Sequence, residues 1–324
     1  MATLLLTLAA GALHGAPLRV TASFPIPADW VREIGGGRVV VETAAPAGAD
    51  PHSWQPGVRD VRRLRDSALL VAVSPVMEDW FAQMVAANDL RARVVWLGES
   101  LESAPQAAGS SRDPHLWLDP ALAEKMCERL ARALAGADPA GASAYNASFQ
   151  RYAQRLRHLD AEARAVFDAV PAARRLLPAA HDNLSRIAAR YGLRTIALNG
   201  AVTSEAPAPS ARRLAAFIRA ARQAGVPIFH DAPEPTPLVL SVTRDAGLPA
   251  PVRLYTDTLP AAPHPASTYV GMFRENLRRF AAALIPAGQP AAGSSAGIPT
   301  AATPETPGVQ AREASPSATT PACP

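Results

Sequence analysis

Two segments repeat the pattern Asp-Pro-His-x-Trp: Asp50-Pro51-His52-Ser53-Trp54 and Asp113-Pro114-His115-Leu116-Trp117. A third histidine, His181, directly follows an apolar run, Leu176–Ala180, and Asp257 follows another, Val252–Tyr255. Three imidazoles and one carboxylate form a borderline-soft donor set suited to Zn²⁺ in tetrahedral geometry. Each repeated Asp stands two residues before its His, where Asp50 and Asp113 are candidates to accept a bond from the ring nitrogen facing away from the ion. The proline after each Asp restricts that Asp to extended backbone, which stiffens the loop. Any one of these histidines alone would be an ordinary core or surface residue; two identical segments and a strand-end His together point to metal. His230 and Asp231 end a further apolar run and are candidates for groups behind the ligands, or for an alternative ligand. Glu205, Asp231 and Glu234 are candidate acidic lining groups, and His158 reads as a solvated helix residue.

Such residues converge only if the chain places them at one mouth. Short β-branched or apolar runs at Leu18–Phe24, Val39–Ala44, Ala68–Val73 and Arg93–Leu97 alternate with helical patterns. A second series follows at Leu176–Ala180, Thr195–Leu198, Val226–His230 and Val252–Tyr255. Alternating β and α units predict an α/β fold of two similar lobes, each with a mainly parallel sheet. In open parallel sheets ligands bind beyond the carboxyl ends of the strands, where all four candidate ligands fall. Between the two series, Tyr145, Phe149, Tyr152, Leu156, Leu159, Ala163, Val166 and Val170 recur every three or four residues, the stripe of one long helix. Asp138-Pro139 reads as its N-cap and first turn, and Pro171 as its end. The expected organisation is an export signal over 1–16, an N-terminal metal-binding lobe over 17–137 and a connecting helix over 138–170. A C-terminal metal-binding lobe over 171–285 and a disordered Pro/Ala/Ser/Thr-rich tail over 286–324 complete it.

Composition narrows the class. With 324 residues and 48% hydrophobic content the chain can bury a large core. A pI near 9.5 would suit nucleic acid, but the net charge is only +4, the arginines are scattered and Lys125 is the only lysine. No nucleic-acid partner is expected. The apolar run Leu4–Ala12 is too short to span a bilayer, and no Cys follows it to carry a lipid. The expected location is therefore the periplasm. Cys127 reads as a small buried hydrophobe, and a bridge from it to Cys323 is not expected.

On these residues the chain resembles the zinc- and manganese-type solute-binding proteins of bacterial ABC importers over roughly residues 18–285. The resemblance rests on Asp50-Pro51-His52, on Asp113 through Pro120, and on His181-Asp182 followed by Arg190-Tyr191-Gly192-Leu193. It continues through Ser204-Glu205-Ala206, Pro209-Ser210, Leu254 through Leu259, and Tyr269 with Met272 and Asn276. It implies two lobes joined by one long helix, with metal held between them by His52, His115, His181 and Asp257. It also implies a membrane ABC permease as partner, with a periplasmic metallochaperone as a candidate second partner, and no enzymatic activity. A monomer is expected, since the helical stripe reads better as packing along both lobes than as a coiled coil. His181, where manganese-type members often carry Glu, points to Zn²⁺; the wording Tyr255-Thr256-Asp257-Thr258-Leu259 is closer to the manganese type and keeps Mn²⁺ as the alternative cargo.

The chain also departs from that pattern. Gly98–Arg112 contains no histidine, so the His-rich loop of many zinc-type members is absent. Trp54-Gln55-Pro56 replaces Tyr-Glu-Pro, Asn183-Leu184 replaces Ala-Phe, and Phe229-His230-Asp231 stands where Glu is common. The rival from another class is a zinc hydrolase. It would need an open coordination position and a general base, and no His-Glu-x-x-His segment is present. A surface protein with a purely structural metal is the third reading. If histidines hold the ion, affinity should fall as pH drops through about 6–6.5.

Overall fold

The computed structural model describes residues 16–101, 103, 113–199 and 209–286. Residues 1–15 and 287–324, on which the expected export signal and tail fall, most of the Gly98–Arg112 loop, Glu205 and Cys323 lie outside the described residues.

The first lobe runs β1 (Leu18–Ala22), α1 (Pro25–Gly35), β2 (Val39–Thr43), α2 (Val58–Asp66), β3 (Leu69–Ala72), α3 (Asp79–Ala87), β4 (Val94–Trp96) and α4 (Pro120–Ala137). After it comes the long helix α5 (Ala142–Asp168). The second lobe runs β5 (Leu176–Ala179), α6 (Ser185–Tyr191), β6 (Arg194–Ala197), α7 (Ala211–Ala224), β7 (Phe229–His230), α8 (Pro237–Ala246), β8 (Val252–Arg253) and α9 (Tyr269–Leu284). The sheet orders are β2-β1-β3-β4 and β6-β5-β7-β8, the same topology twice, and every strand pair is parallel. Val20 sits opposite Val41 on one side and Leu69 on the other. All four residues of β3 and of β5 are buried, as strands covered by helices on both faces must be.

The α/β reading with two parallel sheets therefore holds, with each strand found within a few residues of its expected place. The start of the long helix differs. Pro139–Gly141 form a separate 3₁₀ turn and α5 begins at Ala142. Asp138 does not cap it, because its carboxylate is taken by Arg38, at 2.9 and 3.1 Å, and by the Tyr145 hydroxyl at 2.7 Å. Phe167 takes the buried place expected of Val166, and Val170, just past the helix, is buried as expected. Two successive steps of four follow Leu159, which keeps the stripe facing the core of a straight helix whose true period is 3.6 rather than 3.5.

At 27 residues α5 is about 40 Å long. It packs on α1 and α4 of the first lobe and on α6 and α9 of the second. One hydrophobic cluster runs from Trp30 and Trp117 through Tyr152 and Leu156 to Phe229 and Phe280, so the core is continuous through the helix. Phe167 stacks on Tyr191 at 4.9 Å and meets Phe280 at 5.3 Å. Cys127 is fully buried in α4, as its helix position suggested.

Candidate metal centre

Each of the four candidate ligands lies beyond the carboxyl end of a strand. His52 follows β2, His115 lies beyond β4, His181 is two residues past β5 and Asp257 is four past β8. The fold brings one donor atom from each to within 4.8 Å of all the others. His52 Nε2 is 3.0 Å from His115 Nε2, and His115 Nε2 is 3.2 Å from Asp257 Oδ1. Asp257 Oδ2 is 3.5 Å from His181 Nε2 and 4.0 Å from His52 Nε2. Tetrahedral zinc with bonds of 2.0–2.2 Å places its donors roughly 3.3–3.6 Å apart. Four of the separations, 3.0–4.0 Å, bracket that spacing, and all the donors lie within 4.8 Å of one another.

Two atoms of this group, His181 Nε2 and Asp257 Oδ1, are buried and make no hydrogen bond. Buried polar atoms are nearly always partnered, so a pair of orphans facing one point fits a site built for a cation.

Supporting groups hold the rings. The main-chain amide of His115 and its Nδ1–H both donate to Asp113 Oδ1, at 2.9 and 2.6 Å. That bond fixes the tautomer and aims Nε2 at the other donors. Ser185 donates to Asp113 Oδ2 at 2.6 Å, and the Arg186 guanidinium donates to the Asp113 carbonyl at 2.8 and 3.1 Å. Asp231 Oδ1 lies 3.3 Å from His181 Nδ1 and supports the third ring in the same way. Asp50 acts differently: its Oδ1 accepts the main-chain amide of His52 at 2.8 Å and its Oδ2 accepts the Ser53 hydroxyl at 2.7 Å. It shapes the loop rather than gripping the ring. His230 turns Nδ1 to the Ala232 carbonyl at 3.1 Å and stands outside the group of four. His264 pairs with the Tyr255 hydroxyl, and His158 is exposed on α5 beside Glu162. Glu234 is exposed, and Glu205 lies outside the described residues.

The electrostatics differ sharply among the rings. Burial, reinforced by His115 and His181, pulls His52 down to about 4, so it is neutral at ordinary pH. Burial also opposes charge on His115, but Asp257 and Asp113 outweigh it and raise this ring to about 10. For His181, burial is outweighed by Asp231 and then Asp257, and the shift is upward. Asp231 stays well below the usual carboxylate range because the bond and charge of His181 overcome its burial.

Sequence reasoning missed Ser185 and Arg186. Neither stands in a motif of metal-ligand type, and an Arg in a short amphipathic helix ordinarily points to water; Arg186 is 1% exposed. Trp117 does more than pack: its Nε1–H donates to the Thr256 carbonyl at 2.6 Å.

The family model of the periplasmic zinc-uptake complex component A, ZnuA, matches residues 20–283. The chain belongs to that family. Among its relatives, the iron-binding protein YfeA of Yersinia pestis is 27% identical over 259 residues, covering 78% of this chain and 82% of that one. The manganese ABC transporter substrate-binding lipoprotein PsaA of Streptococcus anginosus is 24% identical over 283 residues, covering 84% and 91%. The solved structure of the periplasmic zinc-binding protein TroA from Treponema pallidum superposes with a TM-score of 0.75 at 27% identity, covering 84% of this chain and all of that one. The ZnuA match spans both sheets and all four candidate ligands. Among the described residues, no helix is long and apolar enough to cross a membrane.

Proposed function

We propose that this protein captures a divalent transition-metal ion in the periplasm, zinc by preference, and presents it to the permease of an ABC importer. The observation that carries the reading is the convergence of His52, His115, His181 and Asp257 within 4.8 Å, two of their atoms being buried without a hydrogen bond. Three imidazole nitrogens and one carboxylate are a borderline-soft donor set that favours zinc. Loading exchanges a proton for the ion. His52 is already neutral, whereas His115 surrenders the proton that Asp113 and Asp257 hold on it. Asp113 and Asp231 then steady the two rings from behind. The continuous core through α5 keeps lobe motion small, so release requires a local shift of one ligand segment rather than a wide opening.

Manganese is the second reading. Both Asp257 oxygens face the site, and a harder ion of higher coordination number can use both. Hydrolytic chemistry is disfavoured, since four protein donors leave no open position for a reacting water. The protein acts alone as a monomer in this reading, and a metallochaperone is not required, because the cleft presents its ligands ready for the ion. The test is competition titration of chelator-stripped protein with zinc and manganese beside His181→Ala. One zinc bound more tightly than manganese, with the variant impaired, is the expected result; tighter manganese overturns the metal, and binding of neither overturns the function.

A further inference from the structure

Thr256 stands immediately before the ligand Asp257 and is 2% exposed. Its carbonyl accepts the Nε1–H of Trp117 at 2.6 Å, and Trp117 lies two residues after His115. Its hydroxyl accepts the Nδ2–H of Asn183 at 2.8 Å, and Asn183, 4% exposed, lies two residues after His181. One residue therefore ties together the segments that carry three of the four ligands. On the other side of Asp257, Thr258 Oγ1 accepts the main-chain amide of Gly48 at 3.1 Å, in the loop that leads to His52.

We propose that Asn183 and Thr256 are positioning residues that fix the gap between His181 and Asp257, and so hold the centre at the size that selects zinc over manganese. The inference rests on the metal-capture reading above. His181 and Asp257 come from different strands, β5 and β8, which flank β7 and do not pair with each other in the second sheet. Their loops beyond the strand ends have no ladder to hold them in register. The Asn183–Thr256 bond supplies a tie at that level, and both partners are sealed from water, so neither has an alternative partner if it breaks. The gap that results, 3.5 Å between His181 Nε2 and Asp257 Oδ2, is close to a tetrahedral edge. Both Asp257 oxygens already face the site and with three imidazoles give five donors, so a six-coordinate ion needs room for one more oxygen, from water. Admitting it requires the Asp257 segment to move away from His181, and the tie at Thr256 opposes that movement from both the Asn183 and Trp117 sides.

The test uses the full chain, stripped with chelator, in four variants: Thr256→Val, Thr256→Ser, Asn183→Ala and the double Asn183→Ala/Thr256→Val. Zinc and manganese affinities are read by competition, and cobalt is added as a spectroscopic probe. Each of the Val and Ala variants should lose about tenfold in zinc affinity, the scale of disturbed outer contacts to a metal centre. The zinc-to-manganese ratio should fall with it, and the intense visible band of tetrahedral cobalt should weaken. The double variant should be no worse than either single one, because the two residues make one bond. Thr256→Ser, which keeps the hydroxyl, should behave as wild type. If Thr256→Val does not fold, Asn183→Ala carries the same readouts. Variants that melt at lower temperature yet keep the wild-type metal ratio and cobalt spectrum overturn the proposal, as do additive losses in the double. A wild-type chain that binds neither ion overturns the metal-capture reading and this proposal with it; wild-type binding with unaltered variants overturns this proposal alone.

Discussion

Ser185 of the second lobe donates its hydroxyl to the Asp113 carboxylate of the first lobe at 2.6 Å, while the other oxygen of Asp113 holds His115. The ring most firmly fixed in the centre is thus oriented from both lobes at once. Because Asp113 and Ser185 are both fully buried, the arrangement has no water to fall back on. The bond joins the two lobes, so any shift that parted them here would also release one hold on Asp113.

Removing the hydroxyl tests that coupling. Ser185→Ala removes the 2.6 Å bond to Asp113 Oδ2, an oxygen that also accepts the Arg186 amide at 3.3 Å. A net cost of about 1 kcal/mol, the usual worth of one hydrogen bond, should appear as roughly a fivefold weaker zinc affinity in a competition titration. Asp113→Asn, which disturbs the tautomer of His115 directly, should cost about 10–100-fold. Equal affinities for Ser185→Ala and wild type would show that the Ser185 bond is not needed to hold Asp113.

The pH dependence should extend above the range of an ordinary histidine. His115 is raised to about 10 by Asp257 and Asp113 against its burial, so the ion must displace its proton at neutral pH. Loading at pH 7.5 should release about one proton, and affinity should fall about tenfold per unit as pH drops from 9 toward 7. Calorimetry in buffers of different ionisation enthalpy counts the proton. The upward shift also fixes the sign for stability without metal. A ring whose folded value lies above its unfolded value contributes stability that is complete below about 6.5 and is lost as pH rises toward 10. Denaturant unfolding of chelator-stripped protein at pH 6.5, 8 and 9.5 should show that decline.

How much of this was legible in the sequence follows from how local each signal is. The strands were readable because each is a short apolar run in an alternating βα order, and the four ligands because they follow strand ends. The start of α5 was not, since Arg38, a hundred residues upstream, takes the carboxylate of Asp138 that would otherwise cap the helix. Asp50 and Asp113 look identical in sequence, yet one shapes a loop and the other grips a ring. Asp113 is sealed between lobes by Ser185 and Arg186, whereas no hydrogen bond across the cleft reaches Asp50 among those of the described residues. Contacts between residues more than seventy positions apart leave no local pattern to read.

Metal should add stability without being required for folding. Free zinc at about 1,000 times its Kd should raise the unfolding free energy by about 4 kcal/mol, and chelator should reverse it. The stripped protein should still unfold cooperatively, because its core is hydrophobic and continuous through α5. A stripped chain without a cooperative transition would instead support a structural metal. Thermal and denaturant melts with and without chelator make the comparison.

The role of α5 as the shared spine can be separated from the centre. Phe167→Ala removes a ring stacked on Tyr191 and packed on Phe280, and should cost about 3–5 kcal/mol of stability. Zinc affinity should change less than twofold provided the variant remains folded. A large loss of affinity would mean that the spine also sets the spacing of the ligands.

The most direct test of the account is the stoichiometry of zinc on chelator-stripped wild type, His181→Ala and Asp257→Ala, with folding of each checked by circular dichroism. The account predicts one tight zinc per wild-type chain and affinity reduced by at least about a hundredfold in both variants, since each removes a ligand rather than a supporting group. Unaltered zinc binding in either folded variant would contradict it, because the ion would then lie somewhere other than among His52, His115, His181 and Asp257.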